Sequence, residues 1–132
     1  MAIQRQTLIV ARDAFAVCRL ERDAPLPGWA TASCFFSITR TSDELSVVCP
    51  QENVPEGVRC ERGWRCLRVA GTIPLSVVGV LAALTAPLAE AGVGVFVVST
   101  FDTDYLFVKE AEFSAAIAAL REAGHSVEGA LP

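Results

Sequence analysis

Residues 64–128, WRCLRVAGTIPLSVVGVLAALTAPLAEAGVGVFVVSTFDTDYLFVKEAEFSAAIAALREAGHSVE, decide the fold. Residues 64–69 read as a strand, with Arg65 and Arg68 set among Trp64, Cys66, Leu67 and Val69. A tight glycine-containing connection follows, and Pro74 is placed where a helix begins, because its missing N–H costs nothing there. From about Pro74 or Leu75 the residues Val77, Val78, Leu81, Leu84, Thr85 and Leu88 recur at helical spacing, and Ala91-Gly92 ends the helix. Residues 93–100 form a nearly continuous apolar run, which predicts a strand covered on both faces. A turn at residues 102–104 leads to a return strand over 105–108. Residues 111–123 give a second amphipathic helix, with Phe113, Ala116, Ile117 and Leu120 inward and Glu112, Arg121 and Glu122 in water. Gly124 stops it, and residues 125–128 read as a short last strand.

The order strand–helix–strand–strand–helix–strand is the ferredoxin-like βαββαβ unit, an α+β fold. It predicts a four-stranded antiparallel sheet with both helices on one face and a second face that something else must cover. Working outward, residues 7–11 and 14–20 read as two strands separated by a turn or bulge at Arg12-Asp13. Residues 34–39 and 45–49 read as a hairpin, and short helical turns fit residues 30–33 and 51–57. We expect residues 1–62 to be a degenerate copy of the complete unit at 63–132. The alternative is an embellishment that protects an edge strand.

Composition narrows the function. Of 132 residues, 52% are hydrophobic and 20% charged, enough to bury a core. Eleven Lys and Arg against fifteen Asp and Glu leave a net charge of −4, the wrong sign for phosphate backbones, so no nucleic-acid partner is expected. The first seven residues are polar and carry no secretory signal pattern. Residues 69–89 lack charge, but Gly71, Pro74 and Pro87 interrupt the run, and the helical part spans only about 25 Å, too short for a bilayer. No membrane partner is expected either. Cys18, Cys34, Cys49, Cys60 and Cys66 are odd in number and contain no C-x-x-C pair. That pattern argues against a disulfide framework or a zinc ribbon and for reduced, packed thiols in a cytoplasmic protein.

The Gly-Thr-Ile-Pro strand-to-helix loop, the helix end Ala-Pro-Leu-Ala-Glu-Ala-Gly and the Ser-Thr-Phe-Asp-Thr-Asp-Tyr hairpin follow one another in the second half of the chain. In this order they resemble the small amino-acid-sensing ACT-domain proteins related to the CASTOR sensors. The resemblance covers residues 64–130 and extends more loosely over 1–62, where such proteins carry a second, divergent ACT copy. It implies a non-catalytic sensor that binds a free amino acid or related small metabolite between ACT units, often within a homodimer. It also implies ligand contacts at Thr100, Phe101 and Asp104 and in the loop from Ile73 to Val77, without naming the ligand.

The residues make chemical sense of that implication. A zwitterion needs donors for its carboxylate and acceptors for its ammonium. The loop Gly71, Thr72, Ile73, Pro74, Ser76 and Val77 leads into a helix start, whose free N–H groups suit a carboxylate. Ser99 and Thr100 offer hydroxyls, Phe101 an aromatic wall, and Asp102 and Asp104 carboxylates. Plainer readings stand beside these: Asp102-Thr103-Asp104 fits a hairpin turn on turn chemistry alone, and Phe101 fits a cap on the core. A hard cation at Asp102 and Asp104 lacks a third carboxylate. Gly92-Val93-Gly94 follows a helix and enters a strand, the reverse of a phosphate loop. His125, the sole histidine, is expected to be solvated, so no cysteine has an evident base. No catalytic residue, metal or cofactor is therefore expected, and a separate effector protein would carry any regulatory output. The rival expectation is a ligand-free structural module for dimerisation or partner docking.

Overall fold

The computed structural model describes residues 5–129. The chain forms two compact units, one of residues 13–64 and one combining the chain up to Arg12 with residues 65 onward. Two strands, β1 (Thr7–Leu20) and β4 (Cys60–Val69), contribute to both.

The larger unit adds α1 (Val80–Glu90), β5 (Val95–Ser99), β6 (Asp104–Lys109), α2 (Phe113–Glu122) and β7 (Ser126–Gly129). The expected βαββαβ order is present, and the fold is α+β and ferredoxin-like. Its strands run β7-β1-β4-β6-β5. The sequence predicts a four-stranded, all-antiparallel sheet. Instead the sheet has five strands and is mixed: the first half of β1 lies between β7 and β4, pairing parallel with β7 from Thr7↔Ser126 to Val10↔Gly129. The cause is apolar alternation: Leu8 and Val10 are buried and join the core made by Leu67, Val69, Leu106 and Val108. Arg12-Asp13 does not interrupt β1. Both side chains are exposed while the backbone stays extended.

Both helices close over that core. Phe113, Ala116, Ile117 and Leu120 of α2 are all buried, as the periodicity requires, and Val80, Leu84 and Leu88 of α1 are buried at i, i+4, i+8. A fully buried leucine of this kind contributes about 1.5–3 kcal/mol. Three local readings change. The helix begins at Val80, not near Pro74, and Val78 is 87% exposed. β5 is half-buried rather than covered on both faces, because it ends the strand order. Phe96 of β5 stacks on its cross-strand partner Phe107 at 4.6 Å. His125 is buried, not solvated: the Gln6 N–H donates to Nδ1 at 3.0 Å, which leaves Nε2 to donate to the Ala83 carbonyl at 2.9 Å. Arg65 lies over the Phe113 ring, 4.5 Å from its centroid, and donates to Glu110 at 3.1 Å.

The smaller unit holds the second half of β1, β2 (Ser37–Arg40), β3 (Leu45–Pro50) and the first half of β4, in the order β2-β3-β1-β4. The β2–β3 and β3–β1 pairings are antiparallel. One-turn 3-10 helices at Gly28–Thr31 and Gln51–Asn53 overlap the expected helical turns. Ala16, Cys18, Leu45, Val47 and Cys49 make its core. The hairpin's first strand starts at Ser37, three residues later than expected. Arg40, on β2, reaches back to the carbonyls of Arg22 and Ala24 and holds the preceding loop.

Candidate functional site

The larger unit contains a cleft of about 330 Å³ between the loop that follows β4, the first turn of α1 and the β5–β6 turn. The loop is shaped by its backbone. The Val77 N–H turns back to the Pro74 carbonyl at 3.0 Å, and Gly79 takes a left-handed conformation with φ 91°. Those two features delay the helix, since the first i→i−4 bond runs from Ala83 to Gly79. The first-turn N–H groups at Val80, Leu81 and Ala82 have no intrahelical acceptor, and no side chain caps the helix. All three residues line the cleft.

The opposite wall comes from the end of β5 and the turn into β6. Ser99 donates its hydroxyl to the Asp104 carboxylate at 2.6 Å, which orients that carboxylate. An ionised carboxylate has about four lone-pair sites, so acceptor capacity remains. Thr100 and Thr103 close the turn, with the Thr100 N–H and Oγ1 both donating to the Thr103 carbonyl at 2.8 and 3.0 Å. Thr103 is buried, and its Oγ1 donates to the Val69 carbonyl at 2.8 Å. The Ile73 N–H donates to the Asp102 carbonyl at 2.6 Å, so loop and turn are tied directly.

Of the residues that the sequence nominates, Ile73, Pro74, Val77, Ser99, Thr100 and Asp104 come together as cleft lining. Gly71, Thr72, Ser76, Phe101 and Asp102 do not line it, and the Phe101 ring is 81% exposed. Asp102 contributes its carbonyl to the tie rather than its carboxylate to the cleft. Leu75, inside the nominated loop, lines it as well, whereas sequence reading missed Gly79, Val80, Leu81, Ala82 and Thr103, all of which line it. Gly79 was the available signal, as a glycine interrupting a helical pattern that the true helix start would place at its N-cap.

Three buried cysteines are held as protonated thiols. Burial pushes the Cys66 thiol up to about 12, moderated by Arg68. Burial, followed by the neighbouring Cys49 and Cys60, pushes Cys18 up to about 12. Burial raises Cys49 as well. Such thiols stay protonated at neutral pH, the reverse of an activated nucleophile. Among the described residues no cluster of His, Cys, Asp and Glu is arranged to hold a metal ion. None of the described helices is long and apolar enough to cross a membrane.

Residues 59–122 match a family model described as an ACT domain, and residues 13–57 match one described as an N-terminal domain. A structural-genomics protein of Agobacterium tumefaciens is 36% identical, with 97% of this chain and 96% of that one covered and a TM-score of 0.91. The chain belongs to the family of that Agobacterium protein. A Vibrio cholerae protein, described as of unknown function and a possible transport protein, is 21% identical with a TM-score of 0.75, over 92% of this chain and 91% of its own. The regulatory subunit of aspartate kinase from Thermus thermophilus is 11% identical with a TM-score of 0.61, over 93% of this chain and 96% of its own. At these identities the last two share the fold.

Proposed function

We propose that this protein is a non-catalytic sensor that binds a free amino acid in the cleft of its ACT domain. The observation that carries the reading is the pairing of opposite chemistries across one cavity. The uncapped N–H groups of Val80, Leu81 and Ala82 suit a carboxylate at the positive end of α1. Asp104, held by Ser99, suits an ammonium on the facing wall. A cleft of about 330 Å³ falls at the lower end of the range that small-molecule sites occupy. That aspartate kinase regulatory subunits share the fold is consistent with a regulatory role. The raised thiols of Cys18 and Cys66 and the backbone-bonded His125 do not make a nucleophile–base pair.

The ligand then sits between ACT units of two copies of the chain. Leu75, Val77, Val78 and Phe101 are exposed around the loop and turn that form the cleft, and β5 presents a free edge. The second copy expected at residues 1–62 is then the compact unit of residues 13–64, its helices reduced to single 3-10 turns while the order β2-β3-β1-β4 is kept. A separate protein reads the bound state. The same exposed residues favour a second reading, in which the module only dimerises or docks and holds no ligand.

Thermal unfolding in the presence of each amino acid separates the two. A ligand that binds only folded protein stabilises it by RT ln(1 + [L]/Kd). The sensor reading expects at least one amino acid to raise Tm in a concentration-dependent way and to change the dimer population on a sizing column. No shift with any of them would leave the docking reading.

A further inference from the structure

We infer that the ligand is an amino acid with an uncharged aliphatic side chain, an inference that rests on the amino-acid reading of the same cleft. Three properties of the wall carry it. First, among the residues lining the cleft Asp104 is the one ionisable side chain. An acidic ligand side chain would find no cation and would add negative charge near Asp104. A basic side chain would compete with the ligand's own ammonium for that single carboxylate, or lie unpaired against apolar surface, which desolvation opposes.

Second, the remaining lining is aliphatic. Ile73, Pro74, Leu75, Val77, Val80 and Leu81 surround the space between the two polar walls. Leu75 is 71% exposed and Val77 41%, so apolar surface now in contact with water is available for a ligand to cover. Third, no aromatic residue is among those of this chain that line the cleft, Phe101 being 81% exposed outside it. Stacking therefore contributes nothing to selectivity for aromatic amino acids. The Thr100 hydroxyl is already engaged within the turn and that of Thr103 on the Val69 carbonyl, which leaves few donors for a polar side chain.

Isothermal titration of the full-length protein with single amino acids tests this. Leucine, isoleucine or valine should bind most tightly. Alanine and glycine should be weaker by about tenfold to a hundredfold, the range that losing one buried branched side chain gives. Aspartate, glutamate, lysine and arginine should be weaker still. The variant Val77→Lys puts a cation into the wall at an exposed position, and should reverse the order so that glutamate or aspartate outranks leucine. Tightest wild-type binding by a charged, amide-bearing or aromatic amino acid would overturn this inference and leave the amino-acid reading intact. Binding by none would overturn both. A Val77→Lys protein that keeps its wild-type Tm and the wild-type ranking would show that the aliphatic wall does not touch the side chain.

Discussion

Thr103 donates its buried side-chain hydroxyl to the Val69 carbonyl at 2.8 Å, and so fastens the β5–β6 turn to the end of β4. The neighbouring bond from the Ile73 N–H to the Asp102 carbonyl fastens the same turn to the loop. Together these bonds hold the two walls of the cleft at a fixed separation before any ligand arrives. That preorganisation lowers the ordering cost of binding.

Thr103→Val tests the tie. Valine keeps the shape but removes the donor, which takes a buried hydrogen bond away from the Val69 carbonyl. The expected loss is about 1–3 kcal/mol of folding stability in urea titration. Thr103→Ser should recover most of it. Equal losses in both variants would mean that the methyl group, rather than the hydrogen bond, matters.

Asp104→Asn should separate binding from folding. Asp104 is half-buried, and asparagine can still accept from Ser99, so stability should stay within about 0.5 kcal/mol of wild type. Affinity for the ligand should fall about tenfold to a hundredfold, because a charge-assisted bond to the ammonium is lost. The check is the ligand-induced Tm shift of the variant beside its ligand-free Tm.

Gly79 decides where α1 starts. Its φ of 91° belongs to the left-handed region, and a Cβ there would meet nothing within 4 Å, so the penalty of Gly79→Ala is conformational rather than steric. It should cost about 1–2 kcal/mol. The strain is relieved if the helix extends backward through residues 75–79, which would rotate the first-turn N–H groups off the cleft. Lower thermal stability with an increase in helical circular dichroism is the expected pair of readings, accompanied by weaker binding.

The buried thiols fix a pH dependence. Cys18 and Cys66 are raised to about 12 in the folded chain, above the ordinary thiol value of 9.0 that they regain on unfolding. Between those values the folded state binds more protons than the unfolded state, so stability falls as pH rises. Below pH 9.0 these thiols should give no slope. Above it, each should remove about 1.4 kcal/mol per pH unit. Denaturant midpoints on either side of pH 9.0 measure this, and Cys66→Ser should flatten the alkaline limb. In the native state exposed Cys34 should alkylate first, well ahead of Cys66.

Much of this architecture was legible because periodicity reports burial. Phe113, Ala116, Ile117 and Leu120 repeat at helical spacing and all four are buried. The hairpin of β5 and β6 was equally plain. The passage from Ile73 to Gly79 was not, because Val77 and Val78 continue the apolar rhythm of the helix while standing in water. Periodicity cannot tell an apolar residue awaiting a partner from one already in the core. β1 failed for a different reason. Its exposed Arg12-Asp13 pair reads locally as a break, but pairing with β7 on one half and β3 on the other keeps the strand extended. His125 is a third case: one buried imidazole is satisfied by Gln6 and Ala83, which only the folded chain brings to it. Within the candidate site, the polar wall at Ser99, Thr100 and Asp104 could be named from the family resemblance together with its hydroxyl and carboxylate side chains. Val80, Leu81 and Ala82 could not, because what they offer the cleft is backbone N–H, which carries no side-chain signature.

The central claim is that an amino acid lies with its carboxylate on the first turn of α1 and its ammonium at Asp104. Amide-resolved NMR during titration with L-leucine, and then with each other amino acid, tests it most directly. The account predicts that the largest shifts fall on the amides of Val80, Leu81, Ala82 and Asp104, and that Asp104→Asn removes them at the same ligand concentration. Shifts confined to residues away from this cleft, or none with any amino acid, would contradict it.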